Sequence, residues 1–98
     1  MTTTRPQAEA FKQLETERVI VTQWRFAPGA ETGWHRHAHD YVVVPMTTGV
    51  LQMLGPDKKS STANLVAGQS YFREAGVEHD VINTNTTEFV FVEVEIKG

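Results

Sequence analysis

Apolar and polar positions alternate along most of this chain in short runs, and residues that favour turns interrupt them at regular intervals. Residues 18–26, 41–47, 50–54, 61–66, 70–72, 79–83 and 88–96 have the β-branched and aromatic content of strands. Between them fall Pro28-Gly29, Thr48-Gly49, Gly55-Pro56-Asp57, Ala67-Gly68, Ala75-Gly76 and the polar residues 84–87, each a turn signal. Many short strands at this spacing predict an all-β sandwich or barrel. The single helical candidate is residues 7–14, where Ala10, Phe11 and Leu14 would share a face; an edge strand over residues 11–14 fits equally. The opening residues are polar and carry Pro6, so residues 1–10 are expected to form a flexible tail and residues 11–98 a single β-barrel domain.

The period-two pattern also predicts burial. In the last run Val90, Val92, Val94 and Ile96 alternate with Phe89, Phe91, Glu93 and Glu95, so one face is wholly apolar and the other begins with two phenylalanines that need a second covering surface. Ile20, Trp24 and Phe26 share one face of the first long run while Val19 and Val21 occupy the other, and Val42-Val43-Val44 is apolar on both sides. Two apolar faces in so short a chain predict sheet packing between subunits, most simply a homodimer. Pro45 cannot donate to a ladder, so a bulge or an edge position is expected there.

Composition narrows the function. The 98 residues carry 9 Lys plus Arg against 12 Asp plus Glu, a net charge of -3, which offers no attraction for nucleic acid or an anionic membrane surface. With 0 cysteines there is no disulfide, thiolate metal site or thiol nucleophile. The N-terminus has no apolar signal segment, and the longest apolar stretch, residues 41–46, is far below the ~20 residues of a membrane-spanning helix. A cytoplasmic protein is expected.

The 4 histidines carry the strongest chemical signal. Residues two apart in an extended segment project to one face, so His35 and His37 can present two imidazoles to one point. His79, just after the turn around Gly76, can supply a third. Three neutral imidazoles bind a divalent transition metal such as iron, zinc, nickel or manganese and leave positions open for water or substrate.

The run from Gly29 through Trp34-His35-Arg36-His37 to Tyr41, followed by Gly49, resembles the first cupin motif: Gly, five residues, His-x-His, three or four residues, Glu, six residues, Gly. The run from Gly68 through Glu74, Gly76 and His79 to Asn83 resembles the second: Gly, five residues, Pro-x-Gly, two residues, His, three residues, Asn. Eighteen residues separate Gly49 from Gly68, as in small single-domain cupins. The resemblance implies a double-stranded β-helix, an RmlC-like jelly-roll barrel of two antiparallel sheets, and carries the metal-ligand role onto His35, His37 and His79. Three positions depart from the pattern: Tyr41 stands where the family has a glutamate ligand, Gly49 arrives one residue late, and Glu74 replaces the proline. The expectation is therefore a three-histidine site with Tyr41 near the metal as a hydrogen-bond donor. The phrase around Trp24 to His37, with Val66 to Tyr71 and the Phe89 to Glu93 ending, is similar to small bacterial cupins associated with β-alanine degradation, which implies a catabolic setting.

The expected function is that of a metal-dependent enzyme of dioxygenase, isomerase or lyase type, acting on a small polar or carboxylated metabolite. Tyr41 and His39 are its candidate proton carriers. Trp24, Phe26, Met46 and Met53, together with Trp34, Tyr71 and Phe72, are aromatic or flexible residues that either line a ligand pocket or pack in the core. Arg73 either clamps a substrate carboxylate or forms a surface ion pair, for example with Glu74. Arg36, of opposite parity to its histidine neighbours, is expected to meet solvent or a carboxylate, and Asn83 to stabilise a turn. The alternative reading is a non-catalytic small-molecule binding or sensing cupin whose metal is structural or holds the ligand. A metal-free packing role is the third.

Overall fold

The computed structural model describes residues 5–98 and contains nine strands: β1 (Glu9–Glu15), β2 (Val19–Phe26), β3 (His35–Arg36), β4 (Asp40–Pro45), β5 (Gly49–Leu54), β6 (Ser60–Leu65), β7 (Tyr71–Arg73), β8 (Glu78–Asn83) and β9 (Phe89–Ile96). A single 3-10 turn, Pro56–Lys58, closes the β5–β6 hairpin. All strand pairs are antiparallel. One sheet runs β1-β2-β9-β4-β7 and the other β3-β8-β5-β6. The seven strand runs read from the sequence are all present, with ends within a residue or two.

Stacking the two sheets decides which side of each strand is interior. Phe26, Phe89, Phe91, Tyr41 and Val43 from the five-stranded sheet meet Leu51, Leu65 and Val81 from the other, and all are buried. In β9 the phenylalanine face points inward and the valine face outward. The register pairs Val92 with Gln23 and Val44, and Val94 with Val21 and Val42, so these residues share the outer face of the five-stranded sheet. Pro45 closes β4 beyond the reach of β7, which pairs only with Tyr41 to Val43; past that point Gly68 N–H donates to Pro45 O at 2.8 Å, and the ladder asks no N–H of the proline.

The N-terminal expectations change. Residues 7–14 form no helix: β1 pairs with β2 along its whole length, with a bulge between Lys12 and Leu14. The expected tail over residues 1–10 is also too long. Residues 1–4 lie outside the described residues, but Ala8 is buried, its N–H donates to Glu31 O, and Glu31 N–H donates to Pro6 O. These bonds pin the chain ahead of β1 beside the segment that leads to His35. Among the described residues no helix is long and apolar enough to cross a membrane.

Candidate metal centre and its cavity

His35 and His79 are direct partners in the β3–β8 ladder, so their side chains leave the same face. His37, two residues beyond His35, projects the same way, and its backbone is held at both ends: its N–H donates to Val77 O at 2.9 Å and its carbonyl accepts from Gly76 N–H at 2.8 Å. The three imidazoles converge. Nε2 of His37 lies 3.0 Å from Nε2 of His35 and 3.1 Å from Nε2 of His79.

Hydrogen bonding sets the lone pairs. His35 Nδ1 lies 2.9 Å from Gly33 O, a contact that requires Nδ1–H as donor and leaves Nε2 bare. Gly33 adopts φ +83, a conformation glycine reaches without strain, and its N–H donates to the Asp80 carboxylate at 3.1 Å. Burial, followed by the neighbouring imidazoles, lowers the pKa of His37 to about 4; burial first and then His35 lower that of His79 to about 4 as well. Both rings are therefore neutral at pH 7 and free to donate electron pairs. The donor set fits a metal: two bonds of ~2.1 Å meeting at a right angle place their nitrogens ~3.0 Å apart. Hydrogen bonds alone serve the trio poorly, because His37 Nε2 carries at most one proton to share between two neighbours.

The cluster opens on a cavity of about 350 Å³ between the sheets. Trp24, Tyr41, Met53, Tyr71, His39 and Glu93 are among the residues that line it. Tyr41 is buried, and its ring stacks on His37 with centroids 3.9 Å apart. Burial raises its phenol pKa, so the hydroxyl stays protonated. His39 stands half-exposed on the cavity wall, outside the three-nitrogen cluster. Arg36 reaches the rim, where Nε lies 3.8 Å from Glu78.

Several expected pocket residues are elsewhere. Phe26 is fully buried and packs against Trp24 and Phe91, so it belongs to the core. Met46 is 59% exposed, just past the end of β4 and outside the cavity, and Trp34 and Phe72 are also exposed. Arg73 borders an adjacent groove, where its guanidinium lies 4.6 Å over the Tyr71 ring and donates to Phe72 O, and no ion pair joins it to Glu74. Asn83 holds a turn as expected: its amide donates to Phe26 O, Ala27 O and Thr87 O while its oxygen accepts from Asn85.

The residue that sequence reasoning missed is Glu93. It is 7% exposed, faces the cavity, and has one carboxylate oxygen 4.0 Å from His37 Nδ1. Burial, and then the charge of Glu95, push its pKa up to about 7; the Trp24 indole N–H, which faces it without forming a full hydrogen bond, pulls the other way. The signal was its place in β9: Glu93 continues the face of Phe89 and Phe91, which had to be covered.

The chain matches the Cupin domain family over residues 22–95. It is a cupin. The β-alanine degradation protein BauB of Pseudomonas aeruginosa is 62% identical over 93 residues, spanning 95% of this chain and 97% of the relative. A crystal structure of a cupin domain protein from Bordetella pertussis superposes with a TM-score of 0.95 at 59% identity, covering 99% of this chain and 100% of that one. The polyketide cyclase RemF of Streptomyces resistomycificus shares the fold alone, with a TM-score of 0.69 at 18% identity over 94% of this cupin and 68% of that chain. The cupin assignment agrees with the fold and with the positions of His35, His37 and His79 in the two motifs.

Proposed function

We propose that this cupin holds one divalent transition metal on His35, His37 and His79 and is a metal-dependent enzyme acting on a small polar or carboxylated metabolite. The observation that carries the reading is the convergence of three Nε2 atoms, with His35 Nδ1 tied back to Gly33 O. Iron, zinc, nickel and manganese all accept such imidazole donors. When bound, the metal supplies a Lewis acid with open positions for substrate or dioxygen. The chain supplies the rest. Tyr41 supports the His37 ring and keeps a protonated phenol by the cavity, His39 is a second proton carrier on its wall, and Trp24, Met53 and Tyr71 exclude water from the interior. The close relation to BauB supports a place in β-alanine catabolism.

A non-catalytic binding or sensing role is the second reading. It is favoured by Tyr41 standing in place of the family's acidic ligand, which leaves the metal without an anionic side chain. Turnover separates the two: substrate-stimulated oxygen uptake or product release supports the enzyme, and tight binding without turnover supports the sensor.

The cupin is also read as a homodimer. Phe11, Leu14, Phe72 and Ile96 are each 39–50% exposed, and register places them with half-buried Val21, Val42, Val44, Val92 and Val94 on the outer face of the five-stranded sheet. At ~4.8 Å between strands and ~3.3 Å per residue, such a face covers about 500 Å² per subunit. Two copies reach the ~1,000 Å² of a specific interface. The middle of the face carries no charge, which suits a copy of itself.

The deciding experiment is elemental analysis of tag-free protein purified without added metal, alongside His37→Ala and His79→Ala. About one equivalent of a single transition metal, lost in both variants, is the expected result. A wild type that stays metal-free after anaerobic reconstitution with iron, zinc, nickel and manganese overturns the reading.

A further inference from the structure

Glu93 is a buried acid without a cation. Among the described residues, Lys or Arg side chains pair with Glu15, Glu31, Glu78 and Glu88, but none reaches Glu93 or Glu95. The nearest basic atom to Glu93 is Nδ1 of His37 at 4.0 Å, beyond hydrogen-bond range. Besides the Trp24 indole N–H, which faces the carboxyl without closing a full hydrogen bond, no side chain or backbone group among the described residues donates to it. An unpaired carboxylate taken out of water is costly, and proteins retain one where something else satisfies it. The Trp24 indole N–H beside Glu93 is also buried and closes no full hydrogen bond, so it answers the carboxyl only in part. Both residues line the cavity.

The surroundings of Glu93 select the missing partner. Trp24, Tyr41 and Tyr71 line the cavity with it and provide aromatic faces, whose negative quadrupoles attract cations. Glu95, two residues further along β9, lies on the same face and lines the same cavity, so β9 lays two carboxyls along one wall. Arg36, the one Lys or Arg on the cavity wall, is engaged with Glu78 at the rim. A carboxylate flanked by aromatic rings, with no protein cation beside it, has the chemistry to receive an ammonium group.

We propose that Glu93, with Glu95 and Trp24, binds the primary ammonium group of a small substrate whose other end reaches the three-histidine cluster. This deepens the reading of the barrel interior as a ligand site and rests on it. Glu93 is thereby the specificity-determining residue that separates amino metabolites from simple carboxylates and alcohols of the same length. Glu95 draws the cation in from the mouth, and the Trp24 ring covers it.

The test uses n-propylamine, propionate and 1-propanol as probes on the protein as isolated. Trp34→Phe, a change at an exposed residue outside the cavity, leaves Trp24 as the one indole, so its Nε1–H nuclear magnetic resonance signal reports directly on the site. Propylamine is expected to shift that signal saturably, and propionate and propanol to leave it in place over the same concentration range. Glu93→Gln keeps the volume and removes the charge; it is expected to weaken propylamine binding by at least about tenfold, and Glu93→Asp to recover part of the loss. An equal response to all three probes, or unchanged amine binding in Glu93→Gln, overturns the proposal. Metal content is measured on the same samples. If Glu93→Gln loses metal while amine binding persists, Glu93 acts on His37 alone and the ammonium site is refuted. Glu93-dependent amine binding in a wild type that never takes up metal upholds the ammonium site and defeats the metal reading instead.

Discussion

The imidazole of His37 lies on the ring of Tyr41, with centroids 3.9 Å apart and planes inclined by 20°. A residue at the position where cupins carry an acidic ligand here supports a neighbouring histidine from behind. The ring matters more than its hydroxyl for this purpose. Tyr41→Phe is expected to retain the metal, whereas Tyr41→Ala removes a buried ring at a cost of about 3 kcal/mol and weakens metal affinity by about tenfold or more. Denaturant unfolding and metal competition with a chromophoric chelator read the two effects. Equal metal affinity in Tyr41→Ala and the wild type refutes the supporting role.

Acid is expected to destabilise the metal-free protein, and the sign follows from three groups. His37 and His79 fall from 6.5 in the unfolded chain to about 4 when folded, so between those values the unfolded state binds protons that the folded state refuses, and stability drops as pH falls. Glu93 runs the opposite way: it rises from 4.5 to about 7, so acidification through that window favours the folded state. Glu93→Gln removes this offset. Urea unfolding of apoprotein should show the variant losing stability more steeply than the wild type between pH 7 and pH 4.5, and gaining about 1–2 kcal/mol at pH 8. Parallel pH profiles for the two proteins exclude this assignment.

Asn83 is the polar anchor of the core. Its fully buried amide satisfies the carbonyls of Phe26, Ala27 and Thr87, and its oxygen takes two bonds from Asn85. Asn83→Ala strands these groups away from water and should cost about 3 kcal/mol or more. A shift in the unfolding midpoint equivalent to less than ~1 kcal/mol shows that water replaces the amide.

The outer face of the five-stranded sheet can be tested by charge. Light scattering at micromolar concentration should give the wild type twice the chain mass. Val92→Glu, at the centre of that face, should give the chain mass while leaving the β-sheet circular dichroism intact. A monomeric wild type removes the dimer.

Much of this protein is legible in its sequence because strand chemistry is local. Alternation placed the seven strand runs from residue 18 onward, and Pro-Gly and Ala-Gly pairs placed their turns. The spacing of His35 and His37 put two imidazoles on one side whatever the fold, since the period of an extended chain is two. The cupin pattern added His79, whose pairing with His35 across β3 and β8 explains why the second motif carries it.

Alternation states which residues share a face and leaves open which face is covered. That choice is made when two sheets stack, and it sent Phe26 into the core, left Met46 and Phe72 exposed, and turned Arg73 onto Tyr71 beside a different groove. The same stacking buried Glu93 with Phe89 and Phe91 and aimed its carboxyl at the cavity. The register of β1 against β2, likewise, overrode the weak helical pattern of residues 7–14, because a ladder of backbone hydrogen bonds to an existing sheet outweighs the propensity of a short isolated helix. The sequence by itself determined the strands and the three histidines that converge. The tertiary structure decided what surrounds those histidines, because burial is a property of two surfaces meeting and no single strand encodes its partner.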